Sequence, residues 1–252
     1  MREVLFLSGA MMMHRPSLFS AAHFLLSAGS ILAAYFAAKY SEKYRKDQCP
    51  AILARSAQVF LLAEIGRQIF LYFTVNHGLF DWWYFPFQLC SVPMYLLFRF
   101  ESRSETVQEW ICTFLGSYTM ISALCALLYP ENMLSEYVFL TLHSFLYHGW
   151  LVFVSLLCIR KHLCTRKGFR GALILFLLLS GIAEIINAAG YHSPWGTGIP
   201  DMFYISPFTS TLQPVFSAIE ASMGRPAEII IYLLTLSLCA FILNRISAKD
   251  HG

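Results

Sequence analysis

Apolar runs of the length needed to cross a bilayer recur along this chain, and no other feature of the sequence limits its fold so severely. A helical crossing takes about 20 predominantly apolar residues. Such runs are read at 17–38, 51–74, 82–100, 107–129, 133–159, 169–190 and 226–244. Charged residues make up only 13% of the 252 residues and hydrophobic ones 57%. A water-facing domain carries about 25% charged residues, so this chain lacks the charge to coat one. The expectation is an all-α polytopic membrane protein, a single transmembrane domain built as a bundle of seven helices.

The distribution of Lys and Arg predicts orientation, because these residues are retained on the cytoplasmic side. Lys39, Lys43, Arg45 and Lys46 follow the first run, and Arg55 lies just inside the second. Arg99 and Arg103 follow the third, and Arg160, Lys161, Arg166, Lys167 and Arg170 the fifth. Arg245 and Lys249 follow the last. The connections Val75 to Asp81 and Pro130 to Asn132 have neither residue, and the sixth connection has none until Arg225. This alternation predicts an outside N-terminus and a cytoplasmic C-terminus. The net charge of +3 is then a topology signal and not the footprint of a nucleic-acid binder. The opening MREVLFLSGAMMM reads as an interfacial segment, with Met11, Met12 and Met13 as alternative starts.

Ionisable side chains are expensive in hydrocarbon and mark candidate sites. Glu64 and Arg67 are three apart and share a helix face, either as a structural ion pair or as a grip for a carboxylate or phosphate. In LHSFLYHGW, His143 and His148 are five apart and turn away from each other. That spacing is poor for joint metal binding; each histidine makes a structural hydrogen bond or contributes to a site. Glu184 and Asn187 are again three apart near the outer end of the sixth run. Counted by helical rise, Glu64, Arg67, Cys90, His143, His148, Glu184 and Asn187 fall between the midplane and the outer leaflet, which predicts a shared polar cavity. FPFQLCSVP, residues 85–93, fits such a cavity: Pro86 and Pro93 kink the third helix and place Gln88, Cys90 and Ser91 at the bend.

The seven cysteines read as reduced thiols, with Cys90, Cys112, Cys125 and Cys239 inside runs and Cys49, Cys158 and Cys164 on the cytoplasmic side. CIRKHLC offers three soft ligands at spacings that match no strong zinc pattern. No metal or cofactor is expected. The sixth connection, 191–224, is long, aromatic and rich in hydroxyls, and reads as an external lid or re-entrant loop.

FPFQLCSVPMYLLF, LHSFLYHGWLV, IINAAG, GIPDMFYISP and MGRPAEIIIYLL, in that order, resemble the YwaF-type family of bacterial integral membrane proteins. Asn187, Phe203, Tyr204, Pro207, Gly224 and Pro226 occupy places equivalent to the family pattern. The chain departs from it with Gln88 where a histidine is usual, and with Asp201, Met202 and Phe203 where Asn-Tyr is usual. The resemblance implies seven helices in a bacterial plasma membrane. It extends distantly to a eukaryotic transmembrane phospholipid acyltransferase group that uses a Cys and a His. The cysteine expected directly after the proline falls here on Phe87, so Cys90 is the nearest thiol, and His148 matches the histidine. That likeness implies Cys90 as nucleophile and His148 as base. Glu64, Arg67, Gln88, His143, Glu184 and Asn187 are the candidate substrate-binding residues. Three functions stay open: acyl transfer on membrane lipids, transport or binding of a small molecule, and a structural or accessory subunit.

Overall fold

The computed structural model describes residues 11–248. Most of the N-terminal segment expected at the interface, and Lys249, lie outside the described residues. Six helices are long and apolar enough to cross a membrane. They are α1 (Ala21–Tyr40), α2 (Cys49–Phe70), α4 (Glu105–Leu128), α5 (Val138–Arg160), α6 (Gly168–Tyr191) and α8 (Arg225–Ser247). Each coincides with an expected run to within a few residues. Two short helices complete the set: α3 (Val92–Leu96) and α7 (Pro214–Met223). Among the described residues the only extended pairings are two isolated bridges, Met12 with Tyr137 and Asp81 with Thr197.

The third expected span is not a regular helix. Residues 82–100 form a 3-10 turn at Trp82–Tyr84, an irregular stretch, the five residues of α3, and a further turn entered through left-handed Arg99 (φ 52°). Pro93 opens α3 and does not kink a longer helix. The reason is local chemistry plus long-range rescue. Two prolines remove backbone donors, and side chains from elsewhere accept the irregular backbone. Tyr84 O takes Gln68 Nε2 (2.7 Å) and Arg67 Nη2 (3.3 Å), while Tyr95 Oη donates to Pro86 O at 2.7 Å. Membrane proteins tolerate non-helical backbone only where protein or a water-filled cavity covers it.

Small residues set the closest helix contacts, as expected where lipid removes any hydrophobic drive between helices. α1 lies along α5, with Ala34 and Ala38 buried and Gly149 of α5 seated against Ser30. Both His23 Nε2 (3.1 Å) and Ser27 Oγ (2.7 Å) of α1 meet Leu127 O, a carbonyl that the end of α4 leaves without a helical partner. α4 and α6 pair through Gly171, which leaves no room for a Cβ beside the Trp110 ring. Midway, α4 carries a π-helical stretch, Leu115–Thr119, every residue of which is buried.

Two apolar cores flank α4. One joins α1, α2, α3, α4 and α5 around Phe60, Leu97, Phe100, Leu115 and Phe145. The other joins α4, α6, α8 and residues 202–205 around Phe114, Tyr118, Phe176 and Phe203. Near-parallel rings run from Tyr118 to Phe176 (4.4 Å), Phe203 (6.3 Å) and Phe87 (5.9 Å), which carries the second core into the broken segment. Large apolar side chains such as Leu62, Leu146, Ile185 and Ile246 point outward, as a lipid-facing surface requires.

The termini of the described chain lie at opposite ends of the bundle. At one end Met13 N donates to Glu136 O (2.8 Å) and Arg15 pairs with Glu131 (3.2 Å). At the other, Arg160 pairs with Glu42, Lys46 donates to His162 O (3.3 Å), and Asn244 Nδ2 donates to Thr165 O (3.2 Å). Four buried cysteines meet at this second end. Cys164 Sγ donates to Cys112 O at 3.2 Å, and Cys158 and Cys49 both lie within electrostatic range of Cys112. Among the described residues no group of three or more His, Cys, Asp or Glu is arranged to hold a metal ion.

Candidate functional site

The residues singled out in the sequence fall into two hydrogen-bonded clusters with Cys90 between them. The first is built on the last turns of α2. Arg67 grips Glu64 with two donors, Nε to Oε2 at 2.9 Å and Nη2 to Oε1 at 2.7 Å. Gln68 Nε2 donates to the same Oε1 at 2.7 Å. Glu64 is 5% exposed, so its charge is desolvated and matched by a planar, bidentate partner. The grip foreseen for an outside anion is filled here by the protein's own carboxylate.

α5 faces this pair with His143 and Tyr147. His143 Nε2 lies 3.1 Å from Ala63 O, one residue before Glu64. Among the described residues its other nitrogen, Nδ1, is buried without a hydrogen-bond partner, and so is the hydroxyl of Tyr147. The Tyr147 ring packs between Phe60 (4.8 Å) and His143 (5.6 Å). His148 Nδ1 meets Ser144 O of its own helix at 2.7 Å.

The second cluster clasps the backbone of residues 201–203. Gln88 Nε2 donates to Asp201 O (2.8 Å) and its Oε1 accepts from Phe203 N (2.9 Å). Asn187 Oδ1 accepts from Met202 N (2.7 Å), and its Nδ2 donates to Met202 O (3.2 Å) and to Glu184 Oε1 (3.2 Å). Two side-chain amides thus pair the backbone of residues 201–203 as a neighbouring strand would. The clasp has a purpose, since Phe203 and Tyr204 both sit at left-handed φ (61° and 60°), a conformation that side chains bearing a Cβ disfavour by about 1–2 kcal/mol each.

Arg225, the first residue of α8, closes the cluster. Its Nε donates to Ser206 O (2.9 Å), Nη1 to Glu228 Oε2 (2.6 Å), and Nη2 to Tyr204 O (3.1 Å) and Asp201 Oδ1 (3.4 Å). Glu220 of α7 completes the ring at 3.8 Å. Burial pushes the Asp201 carboxyl up to about 6, against the pull of the Ser206 N–H and Arg225. Glu220 moves the other way, because the Thr211 N–H at 2.7 Å holds its carboxyl below the usual range.

Cys90 is half-buried. Its thiol lies near Ser122 of α4 and within electrostatic range of Tyr147, Tyr204 and Tyr232. Among the described residues no hydrogen bond joins Cys90 to His148. Glu64 with Arg67, and Glu184 with Asn187, are brought together as their spacing suggested, and Gln88 joins the latter pair's neighbourhood through residues 201–203. Sequence reasoning missed Asp201, Tyr204, Arg225 and Glu228. The signal available was the spacing of Arg225 and Glu228, three apart at the end of a span like Glu64 and Arg67.

The chain matches no curated protein and no solved structure. One family model of transmembrane proteins does match, and it does not by itself confirm the YwaF-type label. The match runs from residue 14 to residue 244, through all six helices and both clusters. This multi-pass membrane protein belongs to the TMEM164 family.

Proposed function

We propose that the protein binds a membrane lipid in its interior, with a polar group of the lipid against Tyr147 and His143 and its reactive region beside Cys90. The observation that carries this reading is the pair of buried, unpartnered atoms, Tyr147 Oη and His143 Nδ1, on the α5 face that meets Glu64 and Arg67. A buried polar atom left without a partner is destabilising by about 1–3 kcal/mol, and such groups mark ligand positions. The broken segment 82–100 supports it, because irregular backbone at membrane depth is how binding sites are built in helical membrane proteins. Residues 191–224 act as the external lid.

Acyl transfer is the reaction class we assign to this site. The Cys90 sulfur attacks the ester carbonyl of the bound lipid, a thioester forms as the ester C–O bond breaks, and the thiol proton leaves with the lysolipid oxygen. His148, the histidine of the resemblance, is the base in this scheme. Detergent-purified protein incubated with native lipids tests both levels. Native mass spectrometry should show one bound lipid, and Tyr147→Phe should weaken that binding about tenfold, the equivalent of 1.4 kcal/mol. The same variant should unfold no earlier than the parent, since it deletes an unpaired group. A denatured-mass gain of one fatty acyl chain, absent in Cys90→Ala, supports acyl transfer; bound lipid without that gain limits the function to binding. No bound lipid, or equal binding by Tyr147→Phe, overturns the reading.

We further propose seven crossings, with 82–100 as the non-helical one, an outside N-terminus and a cytoplasmic C-terminus, in a bacterial plasma membrane. The gathering of Lys46, Arg160, Lys161 and Arg245 at one end supports the orientation. A periplasm-dependent phosphatase fused after Asn132 should be active and one fused after Cys164 inactive. The reverse pattern would reject the orientation.

A further inference from the structure

The Arg225 cluster is unbalanced in charge. One guanidinium, 10% exposed, faces Asp201 and Glu228, each 1% exposed, and Glu220, 17% exposed. Glu184 of α6 lies within electrostatic range of Arg225 and Asp201. The other titratable groups facing Asp201 are Tyr204 of the lid and Tyr232 of α8, with Cys90 of the broken segment in range of both tyrosines. All three are neutral when protonated, so none supplies positive charge. With every carboxyl ionised, a single cation would oppose three or four anions in a largely buried site. Like charges held that close do not all ionise; the set retains a proton.

A separate observation points the same way. Glu228 uses Oε2 for Arg225, while its Oε1 is buried and has no hydrogen-bond partner among the described residues. A bare carboxylate oxygen there would be an uncompensated half-charge. The described residues also lack an arrangement of three ligands that would suit a metal ion.

We propose that the Asp201, Glu220 and Glu228 carboxyls opposite Arg225 form a binding site for one exchangeable proton, and that its occupancy sets how firmly residues 201–213 are held to α7 and α8. The connections are direct. Asp201 Oδ1 accepts from Ser206 N (2.9 Å), Arg225 holds Ser206 O and Tyr204 O, and Glu220 holds Thr211 N. Loss of the proton adds a negative charge beside Glu220, the most exposed of the three, and repels it from the ring. The stretch 207–213 then loosens while Asp201 keeps Arg225. The folded state binds this proton more tightly than the unfolded chain, whose carboxyl titrates near 3.8. The resulting stabilisation is full below that value and is lost as pH rises through about 6.

Infrared difference spectra of the full chain in detergent, taken between about pH 4 and pH 8, test the proposal. One protonated-carboxyl band should disappear as pH rises. Asp201→Asn and Glu228→Gln should each remove that band or move its midpoint by about one pH unit, a tenfold change in proton affinity. Amide hydrogen exchange across 207–213, after division by the intrinsic base-catalysed rate at each pH, should quicken several-fold over the same midpoint, and that excess should be missing in Glu220→Gln. Glu228→Gln preserves shape and decides the matter if Asp201→Asn does not fold. Absence of a titrating band, a band untouched by both variants, or a midpoint that follows sodium concentration at fixed ionic strength overturns the proton site.

Discussion

Arg225→Ala is expected to abolish most of the folded protein at neutral pH. Removing one partner of a buried ion pair leaves the other charge stranded, at about 3–5 kcal/mol, and here the stranded partners are Asp201 and Glu228, both 1% exposed. Net stabilities of whole domains are only about 5–15 kcal/mol, so the loss is large. Arg225→Lys should rescue little. The guanidinium uses three nitrogens to reach Ser206 O, Tyr204 O, Glu228 and Asp201, and a single ammonium cannot span that fan. Acidification should restore part of the stability, because protonated carboxyls no longer need the cation. Thermal unfolding of the purified variants at two pH values checks this. A variant that melts with the parent at neutral pH would show that the cluster contributes little to the fold.

The second large effect is expected at Glu64. Glu64→Leu removes the acceptor for two Arg67 donors and one from Gln68 and leaves a guanidinium only 20% exposed. The loss should again be about 3–5 kcal/mol. Pairing it with Arg67→Leu should recover much of that, since apolar replacement of both partners removes the desolvation penalty along with the attraction. Unfolding midpoints of the two single variants and the double variant give the coupling directly. Additive losses in the double variant would mean that the pair is not the unit that matters.

Both clusters show what the sequence could and could not disclose. Six spans were legible because length, apolarity and flanking charge act locally, and the helices follow the runs. Segment 82–100 is also largely apolar, and its prolines were readable as a disturbance, yet its path depends in part on groups far along the chain. Gln88 takes its partners 113 and 115 residues later, and no local pattern encodes that distance. Glu64 with Arg67 and Glu184 with Asn187 were readable for the converse reason, because a three-residue spacing on a helix is a contact. Arg225 and Glu228 carry that spacing too, but Arg225 read as the end of a loop. Asp201 lies in irregular chain with no period at all. His143 and Tyr147, four apart, share a helix face by spacing alone, whereas the surroundings of their polar atoms depend on how α2 packs against them.

The long reach of Gln88 also has a consequence for biogenesis. Translation at about 5–20 residues per second places the synthesis of Asp201 about 6–23 s after that of Gln88, given the 113 residues between them. Throughout that interval residues 82–100 are already made and can be held by Arg67, Gln68 and Tyr95, while Gln88 still lacks the 201–203 backbone that it pairs with. A provisional conformation, held by local bonds or by an insertion factor, must bridge the delay, and it must yield once α6 and the 201–203 backbone arrive. The segment that gives the interior its shape is therefore among the last to reach its final form, although it is among the first to be synthesised.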